Sequence, residues 1–136
     1  MSMVHLDRQA IIELYRDKHG FNLVPIEPNN GKVLKNWKKY QTEKYVGEIP
    51  NDQDFAIILG ESSNNLICYD FDEYDSIDEI NKIMGFDVLN ETIVEKTGDG
   101  YHVYAIVDKN IKKQIYVKNG KTIEVLSQGQ YVICAT

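Results

Sequence analysis

Leu66-Ile67-Cys68-Tyr69-Asp70-Phe71-Asp72 is an apolar run that ends in two acids one residue apart. Its β-branched and aromatic content reads as a strand. Alternate residues of a strand share a face, so Asp70 and Asp72 project together. Acids in an apolar strand are costly to bury unless something compensates them. Two parallel carboxylates repel, and a divalent cation is the usual remedy. This stretch therefore points to a metal-dependent phosphoryl- or nucleotidyl-transfer site more than to a plain core; the alternative is that the strand has ended and both acids are solvated at the turn into the next helix.

The segments around it set the fold class. Upstream, Leu6 to His19 has apolar residues at helical spacing (Leu6, Ala10, Ile11, Leu14, Tyr15) and Gly20 as a stop. Phe21 to Ile26 reads as a strand, Lys35 to Gln41 as a short helix carrying Trp37, Thr42 to Asp54 as a loop, and Phe55 to Leu59 as a buried strand. Downstream, Asp75 to Met84 reads as a helix capped by Asp75 or Ser76. Strands are expected over Glu91–Lys96, Tyr101–Val107, Gln114–Val117, Lys121–Leu126 and Tyr131–Cys134, with Asn119-Gly120 as a tight hairpin turn. The order helix, strand, short helix, two strands, helix and then a run of strands predicts an α+β fold on a mainly antiparallel sheet. A chain of 136 residues is read as one domain, 1–136.

Composition narrows the function classes. No apolar stretch approaches membrane-spanning length, and the N-terminus lacks a basic region followed by an apolar one, so a cytoplasmic protein without membrane partners is expected. Cys68 and Cys134 fall in predicted buried strands without partners at zinc-ligand spacing, and are read as reduced core residues. The net charge of −6 argues against nucleic acid until its distribution is considered. Residues 1–45 and 100–136 each carry +3, whereas residues 46–99 carry −12. The acid is concentrated between Asp70 and Glu79, and the ends keep lysines, mostly read as solvated charge.

Two further elements accompany the acids. Thr97-Gly98-Asp99-Gly100-Tyr101-His102 places two glycines ahead of a strand, where backbone can approach a ligand closely. His102 then shares a face with Tyr104 and Ile106. A histidine on a strand is usually structural; the glycine turn before it suggests a phosphate contact. Glu124 lies in Thr122-Ile123-Glu124-Val125-Leu126, opposite in facing to the apolar Ile123 and Val125. Taken alone it reads more readily as a solvent-side acid than as a functional one.

Taken in order, these pieces resemble the primase–polymerase (prim-pol) domain of the archaeo-eukaryotic primase superfamily, common in replication proteins of plasmids and viruses. The resemblance spans nearly the whole chain. Gly20-Phe21-Asn22-Leu23-Val24-Pro25-Ile26 and Lys35-Asn36-Trp37-Lys38-Lys39-Tyr40-Gln41 match the opening strand and the Lys/Trp-bearing segment. Ala56-Ile57-Ile58-Leu59-Gly60 matches the strand that ends in glycine. Asp70-Phe71-Asp72, Gly98 to His102, and Glu124 with Gln128-Gly129-Gln130-Tyr131-Val132-Ile133 match the three catalytic motifs. Asp99 replaces a common glycine, and Glu124 replaces the commoner aspartate.

The resemblance implies an RNA-recognition/ferredoxin-like catalytic half beside a small N-terminal α/β unit. It implies a DNA primase/polymerase-type nucleotidyltransferase: template-directed primer synthesis or DNA polymerisation by two-metal catalysis. Asp70, Asp72 and Glu124 would be the catalytic residues and would hold Mg²⁺ or Mn²⁺. His102, Gly100 and Lys35 would contact the nucleotide. Nucleoside triphosphates and a single-stranded DNA template or primer would be the partners, with a helicase domain or another replication protein beyond them. Tyr104 would be available for stacking on a single strand or for the core, and Trp37 would anchor the core. Because the chain ends after the third motif, it is expected to lack the family's C-terminal portion. The competing readings are a metal-dependent nuclease on the same acids, a non-catalytic module that binds nucleic acid or a replication partner, and a purely structural α+β domain.

Overall fold

The computed structural model describes residues 7–51, 53–109 and 111–134, and the chain is α+β, with two antiparallel sheets. Strands β1 (Asn22–Pro25), β2 (Phe55–Ile58) and β8 (Tyr131–Ile133) form a three-stranded sheet in the order β1-β2-β8. Strands β3 (Leu66–Asp72), β4 (Ile93–Lys96), β5 (Gly100–Ile106), β6 (Gln114–Lys118) and β7 (Lys121–Leu126) form a five-stranded sheet in the order β4-β5-β3-β7-β6. The expected N-terminal unit is therefore completed by the last strand, which returns to pair with β2.

The first half of the larger sheet has the split βαβ pattern expected for a ferredoxin-like unit. Between β3 and β4 run the helices α2 (Ile77–Met84) and α3 (Val88–Glu91); β5 then inserts between β4 and β3. The second half differs. The place of a fourth strand, beside β3, is taken by β7, which is reached through the β6–β7 hairpin and not through a second helix. That hairpin turns at Asn119 and Gly120, both at positive φ (53° and 79°), the backbone that a two-residue turn of matching twist requires.

Alternation along the strands sorts the side chains into two layers. Phe71, Tyr101, Val103 and Ile123 face α2 and α3, where Ile80, Val88 and Tyr74 complete a buried cluster. Ser76 caps α2 by accepting from the Glu79 N–H. The opposite face carries Leu66, Cys68, Ile93 and Tyr104, packed against Phe55, Ile57, Val132 and the N-terminal helix. Both cysteines are free and buried. Trp37 and Tyr131 meet edge to face over the outer side of the small sheet, so Trp37 is an anchor there.

Several element boundaries move. Within the stretch expected to be one helix, α1 covers Arg8–Ile12, capped by Asp7, and a π-helical segment covers Glu13–Lys18; Leu6 lies outside the described residues. The helix expected over Lys35–Gln41 is a 3₁₀ turn, Trp37–Gln41. The short α3 was not anticipated: the strand expected from Glu91 begins at Ile93. Among the described residues, no helix is long and apolar enough to cross a membrane.

Candidate metal and nucleotide site

Register brings the sequence motifs together. Asp70 pairs with His102 on one side and with Glu124 on the other, and His102 pairs in turn with Glu95. Directly paired residues of an antiparallel sheet share a face, about 4.5–5.5 Å apart. Glu95, His102, Asp70 and Glu124 therefore form one row across four strands. Asp72 stands two residues further along β3 on the same face, opposite Gly100.

The row lies where the sheet face emerges from cover. Leu66 and Cys68 of β3 are buried under the small sheet, Asp70 is half-buried and Asp72 is exposed. A cleft of about 340 Å³ opens there, lined by Asp70, Asp72, Thr97, Gly98, Asp99, His102, Ile133 and Cys134. The end of the chain thus supplies one wall and the glycine turn another.

Crowding perturbs Asp70. Burial, first, raises its carboxyl above the usual aspartate range; His102 opposes this, and Asp72 and Glu124 add to it. The imidazole Nε2 of His102 is 3.7 Å from Asp70 Oδ1. Glu124 Oε2 is paired with Lys113 Nζ at 3.2 Å. The three carboxylates are hard oxygen donors on one face, and Mg²⁺ or Mn²⁺ suits such a set. They are not drawn together as a cage: among the described residues, no group of three or more His, Cys, Asp or Glu side chains is arranged to hold a metal ion.

Three residues weighed for the site, Gly100, Lys35 and Tyr104, sit apart from it. Gly100 has a role within the fold: a Cβ built there would lie 1.8 Å from the Phe71 carbonyl oxygen, so what the glycine lets the backbone approach is strand β3. The turn before it is closed by Thr97, whose N–H donates to the Gly100 carbonyl and whose Oγ1 accepts from the Gly100 N–H, both at 2.9 Å. Lys35 is exposed and is not among the residues that line the cleft. Tyr104 is fully buried, so it offers no stacking surface; its hydroxyl donates to Glu95 at 2.8 Å.

Glu95 is the residue that the sequence reading passed over. It is buried, and its Oε1 accepts from Tyr104 and lies 3.1 Å from His102 Nδ1. Its Oε2 accepts from the Tyr15 hydroxyl at 2.7 Å and from the Cys134 thiol at 3.0 Å. Burial alone would push this carboxyl up; hydrogen bonds from His102, Tyr15, Cys134 and Tyr104 outweigh it and hold the group below the usual glutamate range. Burial, and then the Glu95 charge, push Tyr15, Tyr104 and Cys134 far up, so all three keep their protons and act as donors. The available signal was an acid on the same face as apolar Ile93 of a β-branched strand.

Neither the models of known protein families nor the curated proteins compared with this chain give any match.

Proposed function

We propose that this chain is a nucleotidyl-transfer domain of the prim-pol type, acting on nucleoside triphosphates and a primed or single-stranded DNA. The observation that carries this reading is the row itself: Asp70, His102 and Glu124 are in register on adjacent strands, and Asp70, Asp72 and His102 line a cleft that Glu124 stands beside without lining. Asp70, Asp72 and Glu124 would hold Mg²⁺ or Mn²⁺, which when bound supplies charge neutralisation at the attacking and leaving oxygens. His102 points its Nε2 along the same face, toward Asp70; with a proton on both ring nitrogens, Nε2 would donate to a phosphate oxygen held there and favour the negative charge that develops in the transition state.

Calorimetric titration of a nucleoside triphosphate, with and without Mn²⁺, tests the reading. Binding that requires Mn²⁺ and is lost in the D70N/D72N variant is the expected result. Absence of binding to the folded wild type overturns it.

One observation favours a second reading. The Glu124–Lys113 ion pair neutralises the third acid without a metal, as suits a non-catalytic module that binds nucleic acid. That reading predicts that D70N/D72N binds single-stranded DNA as well as the wild type or better, because two repelling charges are removed.

A further inference from the structure

We infer that Glu95 is a positioning residue for His102: it fixes the proton on Nδ1 and turns Nε2 toward Asp70 and the cleft. The geometry carries this. Glu95 lies directly across from His102 in the β4–β5 register, with Oε1 3.1 Å from Nδ1, while Nε2 on the far side of the ring is 3.7 Å from Asp70 Oδ1. One ring nitrogen therefore faces the protein interior and the other faces the site. A carboxylate only accepts hydrogen bonds, so the nitrogen beside it must be the one that carries a proton. The tautomer of a histidine is set by the partner of its other nitrogen.

Glu95 is itself held from three directions. Tyr15 reaches it from the π-helical segment, Tyr104 from β5 and Cys134 from the end of the chain. All three sit in the core cluster that joins the two sheets. The ring of His102 also meets that of Tyr104 edge to face, with centroids 6.1 Å apart. The imidazole is thus braced in orientation as well as in protonation. A buried carboxylate is an expensive brace: replacing it with an apolar side chain of similar size would relieve its desolvation. Its value lies in what it does to His102, whose far nitrogen faces the cleft. Such outer partners of a site are worth 10–100-fold in affinity or activity where they have been removed in metalloproteins.

The test reads the tautomer directly. Long-range ¹H–¹⁵N NMR of the ¹⁵N-histidine-labelled chain at pH 8.5, with the H102Q variant assigning the signals, distinguishes the ring forms. The expected wild-type spectrum shows Nδ1 protonated, whether or not Nε2 also carries a proton. A ring protonated on Nε2 alone, or an averaged mixture of both tautomers, overturns the inference. E95L removes the acceptor; once shown folded by circular dichroism, it should give a mixture of tautomers and bind the Mn²⁺–triphosphate about 10-fold more weakly. E95Q keeps a carbonyl acceptor and should restore most of that affinity. A folded E95L with unchanged tautomer also overturns the inference, and if E95L does not fold, the wild-type spectrum decides. The affinity measurements rest on the proposed nucleotidyl-transfer reading and the tautomer does not. A wild type with Nδ1 protonated but no triphosphate binding would sink the function and leave the positioning role standing.

Discussion

Gly100 faces Asp72 across β3 and β5 with no room for a methyl group, because the obstruction is the Phe71 backbone carbonyl and not a flexible side chain. G100A should cost about 1–3 kcal/mol, or prevent folding, through overpacking; urea denaturation would measure it. Half-buried Asp70 and buried Glu95 make opposite contributions to stability. Asp70 has its carboxyl raised in the folded state, so ionisation disfavours folding. Whatever stability it lends is present below the ordinary aspartate range and is lost as pH rises through the folded value. D70N should therefore be more stable than the wild type at pH 7 without divalent ions, and the difference should vanish below the ordinary aspartate value of 3.8. Glu95 is held below its ordinary value, so its contribution is present above 4.5 and is lost as pH falls through the lowered folded value. E95Q should lose stability at pH 7 and differ little from the wild type under strong acid. Urea titrations of both variants at pH 7 and pH 2.5 would read these opposite signs.

At the scale of elements, α2 and β6 show how local rules and surroundings divide the work. The N-cap bond from Ser76, the left-handed Gly85 at its other end and the apolar stripe of Ile77, Ile80 and Met84 mark α2 in sequence and in structure alike. S76A should cost about 1 kcal/mol, measurable as a fall in the urea midpoint. Strand β6 is different, because it is an edge strand that leaves Ile115, Tyr116 and Val117 largely exposed. Unpaired edges of this kind invite pairing with another chain. V117K should change stability by no more than about 0.5 kcal/mol while reducing self-association at high concentration, followed by light scattering. The π-helical segment could not have been anticipated from periodicity, since the same apolar spacing serves a regular helix. What selects it is the surrounding packing, in which Tyr15 reaches Glu95 and its carbonyl accepts from the Phe21 N–H.

At the scale of the whole molecule, one buried cluster joins Phe55, Ile57 and Val132 of the small sheet to Leu66, Cys68 and Tyr104 of the large one. The two sheets should unfold together. I57A removes a fully buried side chain between β1 and β8 and should cost about 2–5 kcal/mol. Trp37 fluorescence, which reports on the small sheet, should still follow the same transition as the far-ultraviolet signal. Separate transitions would show two independent units. By itself, the sequence determined the α+β class, the positions of most strands, the hairpin at Asn119-Gly120 and the shared facing of Asp70 and Asp72. These follow from periods of two residues, turn chemistry and local steric preference, all of which act within a few positions. Only the tertiary structure decided that Asp70 stands between His102 and Glu124, that β8 closes the small sheet, that Gly100 serves the fold, and that Glu95 stands behind His102. Those placements depend on register between strands far apart in the chain. A slip of one residue would send each of these side chains to the other face, and the packing of both sheet faces selects against it.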